Sequence, residues 1–212
     1  MVIEQKTGTL ALRELITRFL GRRNLSPRTV DYYSNILSHL QWYAGQNGWP
    51  EQVENITRGH IRDFLDYVAT ERHRWPEGRR PSCEKASPAT VHHYGKVVKA
   101  LFNWAEEEEC LDADPSSRLK LGAPQYKEVE PYTDEEVRTF LEVCEQDAKT
   151  GYRYLGIRNK AIISLFIAPG LRLEELSGIN LSDFDARLQQ VQTMGKGGKA
   201  RVVPINGEAK NL

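Results

Sequence analysis

Two stretches decide how this chain of 212 residues folds: Pro169-Gly170-Leu171-Arg172-Leu173-Glu174-Glu175-Leu176, and further on Gly195-Lys196-Gly197-Gly198-Lys199-Ala200-Arg201-Val202-Val203-Pro204. Ahead of the first, Tyr154 to Ile167 has the apolar content of a helix, and Ala168-Pro169-Gly170 ends it. Leu171 to Ser177 then reads as a short helix. After it the period changes, with Leu188 and Val191 on one side of a glycine-rich turn and Val202, Val203 and Ile205 on the other, which predicts a β-hairpin. Helix, break, short helix and hairpin together indicate a mainly α, overall α+β protein.

Working outward, Thr133-Asp134-Glu135-Glu136 is a capping box, since Thr133 can accept from the third amide while Glu136 returns to the cap amide. Val137, Phe140, Leu141 and Cys144 are expected to face one core. Upstream, Asp112 to Pro131 carries Asp114-Pro115-Ser116-Ser117 and Ala123-Pro124 and has no amphipathic pattern, so a linker is placed at 114–131. The first half predicts four amphipathic helices. Leu12, Leu15, Ile16 and Phe19 mark the first, and Val30, Tyr33, Ile36, Leu37 and Leu40 the second. Thr57 caps the third, with Ile61, Phe64, Leu65 and Val68 inside. Ser87-Pro88-Ala89-Thr90-Val91 opens the fourth and echoes Ser26-Pro27-Arg28-Thr29-Val30, which opens the second. Between the third and fourth, Arg72 to Lys85 is an exposed basic loop containing Arg79 and Arg80.

An apolar share of 40% supports hydrophobic cores and excludes global disorder. Lys and Arg together number 29 and so do Asp and Glu, so the whole-molecule charge does not indicate a polyanionic partner and only its distribution can. Cys83, Cys110 and Cys144 are widely spaced, with no metal-binding pattern, and fit a reducing compartment. With no membrane span and no signal peptide in the pattern, the expectation is a cytoplasmic protein. The glycine-lysine stretch is not a nucleotide-binding P-loop, because Thr193 stands where the first glycine belongs and Ala200 where Ser or Thr would coordinate magnesium.

Read together, in order and spacing, the two quoted boxes resemble those of the tyrosine recombinase or phage integrase family. There a Gly-Leu-Arg-x-x-Glu-Leu box starts a helix, and a Gly-Lys-Gly-x-Lys-x-Arg-x-Val-Pro hairpin follows. The Ser-x-x-Thr openings are similar to those of the family's SAM-like core-binding domain. The resemblance implies residues 1–113 as a four-helix DNA-binding bundle and, after the linker, 132–212 as the first part of a catalytic domain, truncated. It implies catalytic roles for Arg172 and Lys196, with Glu175, Lys199 and Arg201 in support.

The chemistry explains the residue types. A phosphodiester in transfer gains negative charge on its non-bridging oxygens, which a planar guanidinium binds through a fixed fork. The leaving sugar oxygen needs a proton, which a lysine near other positive charge can give. The family's second and fourth helices face the DNA major groove. Here Arg28, Tyr32, Asn35 and His39 share the outer face of the second helix, and His92, Lys96, Lys99 and Asn103 that of the fourth. With Arg79 and Arg80, these are the expected DNA contacts.

The implied function is site-specific recombination or integration on double-stranded DNA through a 3′-phosphotyrosine, without metal or cofactor. The full-length protein would act as a homotetramer and involve no membrane. The family's His-x-x-Arg and nucleophilic tyrosine have no counterpart, since no histidine follows His93 and no tyrosine follows Tyr154. These residues alone are therefore expected to be inactive in cleavage. The alternatives are a stand-alone DNA-binding module competing with a full-length relative, and a helical scaffold with no nucleic-acid role.

Overall fold

The computed structural model describes residues 10–22, 25–72, 75, 84–124, 128–167, 169–185, 187, 189–195 and 198–205. The chain forms two compact units, Met1–Glu128 and Val129–Leu212.

The first unit holds α1 (Leu12–Leu20), α2 (Pro27–Gln46), α3 (Arg58–Thr70) and α4 (Pro88–Glu107). The two Ser-x-x-Thr openings have one structural cause. Ser26 Oγ accepts from the Thr29 amide and Ser87 Oγ from the Thr90 amide, each at 3.2 Å. In both, the serine and threonine hydroxyls also pair, at 2.8 and 2.9 Å. Proline follows at the first helical position, where no amide partner is lost. Thr57 caps α3 in the same way, with His60 completing the box. The apolar stripes then close on one core in which Leu15, Phe19, Leu37, Leu40, Ile61, Phe64, Val98 and Leu101 are fully buried. At its edge the Arg22 guanidinium lies 3.8 Å from the centre of the Phe19 ring.

The segment after α4 differs from the linker expectation. Asp114 and Ser116 are buried and Leu119 joins the first core. Asp114 Oδ1 accepts from the amide and the hydroxyl of Ser116, at 2.6 and 2.7 Å, which closes a turn and lets Leu119 reach inward. Side-chain-to-backbone hydrogen bonds order this stretch. They leave no periodicity in the sequence, so its packing on the first unit was not legible there.

The second unit holds α5 (Asp134–Lys149), α6 (Arg153–Ile167) and α7 (Leu173–Ser177). An antiparallel sheet follows, in the order β1 (Phe184–Asp185), β2 (Gln190–Met194), β3 (Ala200–Pro204). The predicted capping box forms, with Thr133 Oγ1 accepting from the Glu136 amide at 3.2 Å and Glu136 Oε2 accepting from the Thr133 amide at 2.8 Å. On α5 only Leu141 and Cys144 are buried, whereas Phe140 is 39% exposed. The apolar line of α5 is thus narrower than expected, because α6 lies along Cys144 and Ala148, where Gly156 allows backbone contact. Phe140 meets Tyr132 edge-on instead, with ring centres 5.2 Å apart. Gly170, at φ +64, takes the left-handed turn that ends the α6 connection at low steric cost. Leu165, Leu171, Val191, Val203 and Ile205 form the core that joins α6, the α7 entry and the sheet.

Candidate functional site

Glu175 organises the site. It lies on α7 and is 3% exposed. Its Oε2 accepts from the Arg172 amide at 2.8 Å, and its Oε1 from Arg172 Nη1 at 3.0 Å. Oε2 also accepts from Arg201 Nη2 at 2.7 Å. The Arg172 amide hydrogen bond and the one from Arg201 hold the Glu175 carboxyl at about 2, against the opposing effect of burial. A carboxylate that is ionised at neutral pH thus fixes Arg172 by backbone and side chain together, yet the Arg172 side chain stays 70% exposed. Such a guanidinium is held in place by the protein with its outer edge open to an anion.

The hairpin meets the same carboxylate. Thr193 pairs with Arg201 and Val191 with Val203, and the Gly195 amide donates to the Lys199 carbonyl at 2.7 Å. A Cβ on Gly195 would lie 3.6 Å from Glu175 Oε1, so the root of the turn stands beside the residue that orients Arg172. Lys196 and the next glycine lie outside the described residues. Lys199 is described and exposed. A small cavity lined by Glu174, Glu175, Gly178, Asp183, Gln192, Thr193 and Met194 adjoins the cluster.

On the first unit, Arg28, Tyr32, Asn35, Lys96 and Asn103 are exposed on α2 and α4, with Asn103 Nδ2 donating to Glu107 at 2.6 Å. Three side chains expected at the DNA face instead act within the unit. His39 Nδ1 lies 2.7 Å from the Tyr94 hydroxyl, and its ring stacks on Trp75 with centres 3.8 Å apart. His92 Nδ1 donates to the Gly122 carbonyl at 2.8 Å, and Lys99 Nζ to the Leu119 carbonyl at 3.2 Å. All three are half-buried. The cause is chain that folds back over the outer faces of the helices, with Trp75 on one and Leu119 to Gly122 on the other. Arg79 and Arg80 lie outside the described residues.

From the sequence, Arg201 was expected only in support, without its partner. The available signal was phase. Arg201 is in phase with the buried Val203 and Ile205, so its side chain starts from the face of the strand that turns toward the core.

Among the described residues no helix is long and apolar enough to cross a membrane. A family model described as "Phage integrase family" matches residues 131–212, and one described as "Phage integrase, N-terminal SAM-like domain" matches residues 12–112. Among curated proteins, the chain is 28% identical over 189 residues to a tyrosine recombinase XerC of Natranaerobius thermophilus, covering 89% of this chain and 57% of that protein. It is 29% identical over 205 residues to a tyrosine recombinase XerD of Ralstonia nicotianae, covering 96% of this chain and 59% of that one. The chain thus spans somewhat over half the length of these relatives.

Among solved structures, the Tn1549 transposon integrase in complex with a circular intermediate DNA matches with a TM-score of 0.68 at 15% identity, covering 95% of this chain and 63% of that one. A lambda integrase tetramer bound to a Holliday junction matches with a TM-score of 0.64 at 16% identity, covering 96% and 52%. At that identity these show a shared fold. The two family models match in the expected order over most of the sequence, and the chain belongs to the phage integrase family of tyrosine recombinases.

Proposed function

We propose that this protein is a site-specific DNA recombinase of the integrase type. Its first unit binds duplex DNA through the outer faces of α2 and α4, and its second unit holds the phosphodiester to be cut at Arg172. The observation that carries this reading is the exposed Arg172 guanidinium fixed by a buried carboxylate beside the root of the lysine-bearing hairpin. Arg172 neutralises the charge that develops on the non-bridging oxygens. Lys196 protonates the leaving sugar oxygen, and the nucleophile is a tyrosine that these residues do not supply. On the DNA face, Arg28, Tyr32, Asn35, Lys96 and Asn103 are the contacts that their exposure favours, and Arg79 and Arg80 are added on the sequence alone. The Tn1549 and lambda integrases that share this fold were solved on DNA, the latter as a tetramer on a Holliday junction, which supports duplex DNA as the partner and a tetramer as the acting form.

The test is duplex binding by residues 1–212 in rising salt. Affinity should fall steeply with salt, and Lys96→Ala should shallow the slope by about one unit, because one fewer phosphate is neutralised. With a nicked suicide substrate, these residues should bind without forming a covalent adduct. Absence of duplex binding at low salt would remove the reading.

A further inference from the structure

Arg201 occupies an unusual position for a charged residue. Side chains alternate along a strand, and Val203 and Ile205, in phase with Arg201, are buried in the core of the second unit. Across the sheet its partner Thr193 is also buried. On that face the Arg201 guanidinium meets the buried carboxylate of Glu175 at 2.7 Å. The same carboxylate already holds Arg172 at 3.0 Å. One carboxylate therefore spans two guanidinium groups, and the three sum to one positive charge.

Each guanidinium carries five donors in a rigid fork. Arg201 gives one of its donors to Glu175, and so does the Arg172 guanidinium. Their side chains remain 41% and 70% exposed, and among the described residues neither guanidinium has a further protein partner. Arg172 holds Oε1 and Arg201 holds Oε2 of the same carboxylate, which brings two part-exposed guanidinium groups to one place on the second unit, each with donors left for an anion.

We propose that Arg201 is a second phosphate-contacting residue. Arg172 and Arg201, spanned by Glu175, form one twin-guanidinium site that engages both non-bridging oxygens of a single DNA phosphodiester. This rests on the reading of Arg172 as the residue that holds the phosphate. Glu175 keeps two like charges side by side, which a pair of unbridged arginines would resist.

The experiment is an NMR titration of residues 1–212, following the arginine side-chain Nε–H signals as inorganic phosphate is added and then displaced by a duplex oligonucleotide. The Arg172 and Arg201 signals should move along one common binding curve, and when duplex displaces the free anion both should shift together to a DNA-bound position rather than return to the free one. Arg172→Ala and Arg201→Ala should each weaken phosphate binding by about tenfold or more, as expected for removal of a charge-assisted hydrogen bond.

If Arg172→Ala weakens binding and Arg201→Ala does not, the proposal fails and the reading of Arg172 stands. If phosphate moves neither signal, both fail. Failure of duplex to displace phosphate overturns DNA as the source of the anion. Should Arg201→Ala disturb the fold, Arg201→Lys decides, because it keeps the charge beside Glu175 without the fork. Weakened phosphate binding then supports the proposal and wild-type binding overturns it.

Discussion

Glu175 carries the electrostatics of the second unit, and its titration has a definite sign. Its folded pKa of about 2 lies below the ordinary 4.5, so its contribution to stability is complete above 4.5 and is lost as the pH falls from 4.5 through about 2. Thermal unfolding followed across this window should show the second unit weakening toward acid. Glu175→Gln should remove that component and lower stability at neutral pH, since an amide cannot balance two guanidinium groups. A variant with an unchanged acid profile would show that the carboxylate is not what ties the hairpin to α7.

The two lysines of α4 separate cleanly at the same scale. Lys99 reaches the Leu119 carbonyl, so Lys99→Ala should cost the first unit about 1 kcal/mol and leave the salt slope of DNA binding unchanged. Lys96→Ala should do the reverse. Urea denaturation and binding in graded salt read the two effects separately. In the sequence Arg172 and Glu175 were legible, because their spacing on a short helix is local. His39, His92 and Lys99 were misplaced because what covers a polar side chain comes from distant, aperiodic chain.

For the elements, helix starts were the most legible feature. Ser26 and Ser87 satisfy free amides at the starts of α2 and α4, and replacing either with Ala should lower stability by about 1 kcal/mol in urea denaturation. The contact of α5 with α6 was not legible. A Cβ on Gly156 would meet the Cys144 carbonyl and come within 2.5 Å of the Ala148 amide nitrogen, both backbone atoms that yield only if a whole helix moves. Gly156→Ala should therefore destabilise the second unit by roughly 2 kcal/mol despite the better helix propensity of alanine. Ala tolerated there at no cost would mean that the two helices are less closely packed. The sequence suggested a broad apolar stripe on α5, but the near approach that Gly156 permits narrows it to Leu141 and Cys144 and leaves Phe140 beside Tyr132.

At the scale of the molecule the two units differ in how much they bury. The first gathers side chains from four long helices into a large aromatic and aliphatic core. The second relies on Leu165, Leu171, Val191, Val203 and Ile205, and leaves Tyr154, Ile157, Ile167 and Leu173 half or more exposed, or nearly so. Hydrophobic stabilisation scales with the area removed from water, so calorimetry of residues 1–212 should show the second unit unfolding at the lower temperature. Residues 1–128 alone should unfold cooperatively near the upper transition. A fragment that stays unfolded would show that the first unit depends on the second.

The sequence by itself determined the helices, their caps, the hairpin, the two-part plan and the Arg172–Glu175 spacing, because each follows from residues within a few positions of one another. Only the tertiary structure decided that Asp114 to Leu121 packs on the first core, that Trp75 and the Leu119–Gly122 stretch cover three residues expected at the DNA face, and that Arg201 shares the carboxylate of Arg172. The physical reason is range. Hydrogen bonds to aperiodic backbone and ion pairs between a helix and a strand leave no periodic trace in the sequence, and which polar group meets which is settled when the chain closes on itself.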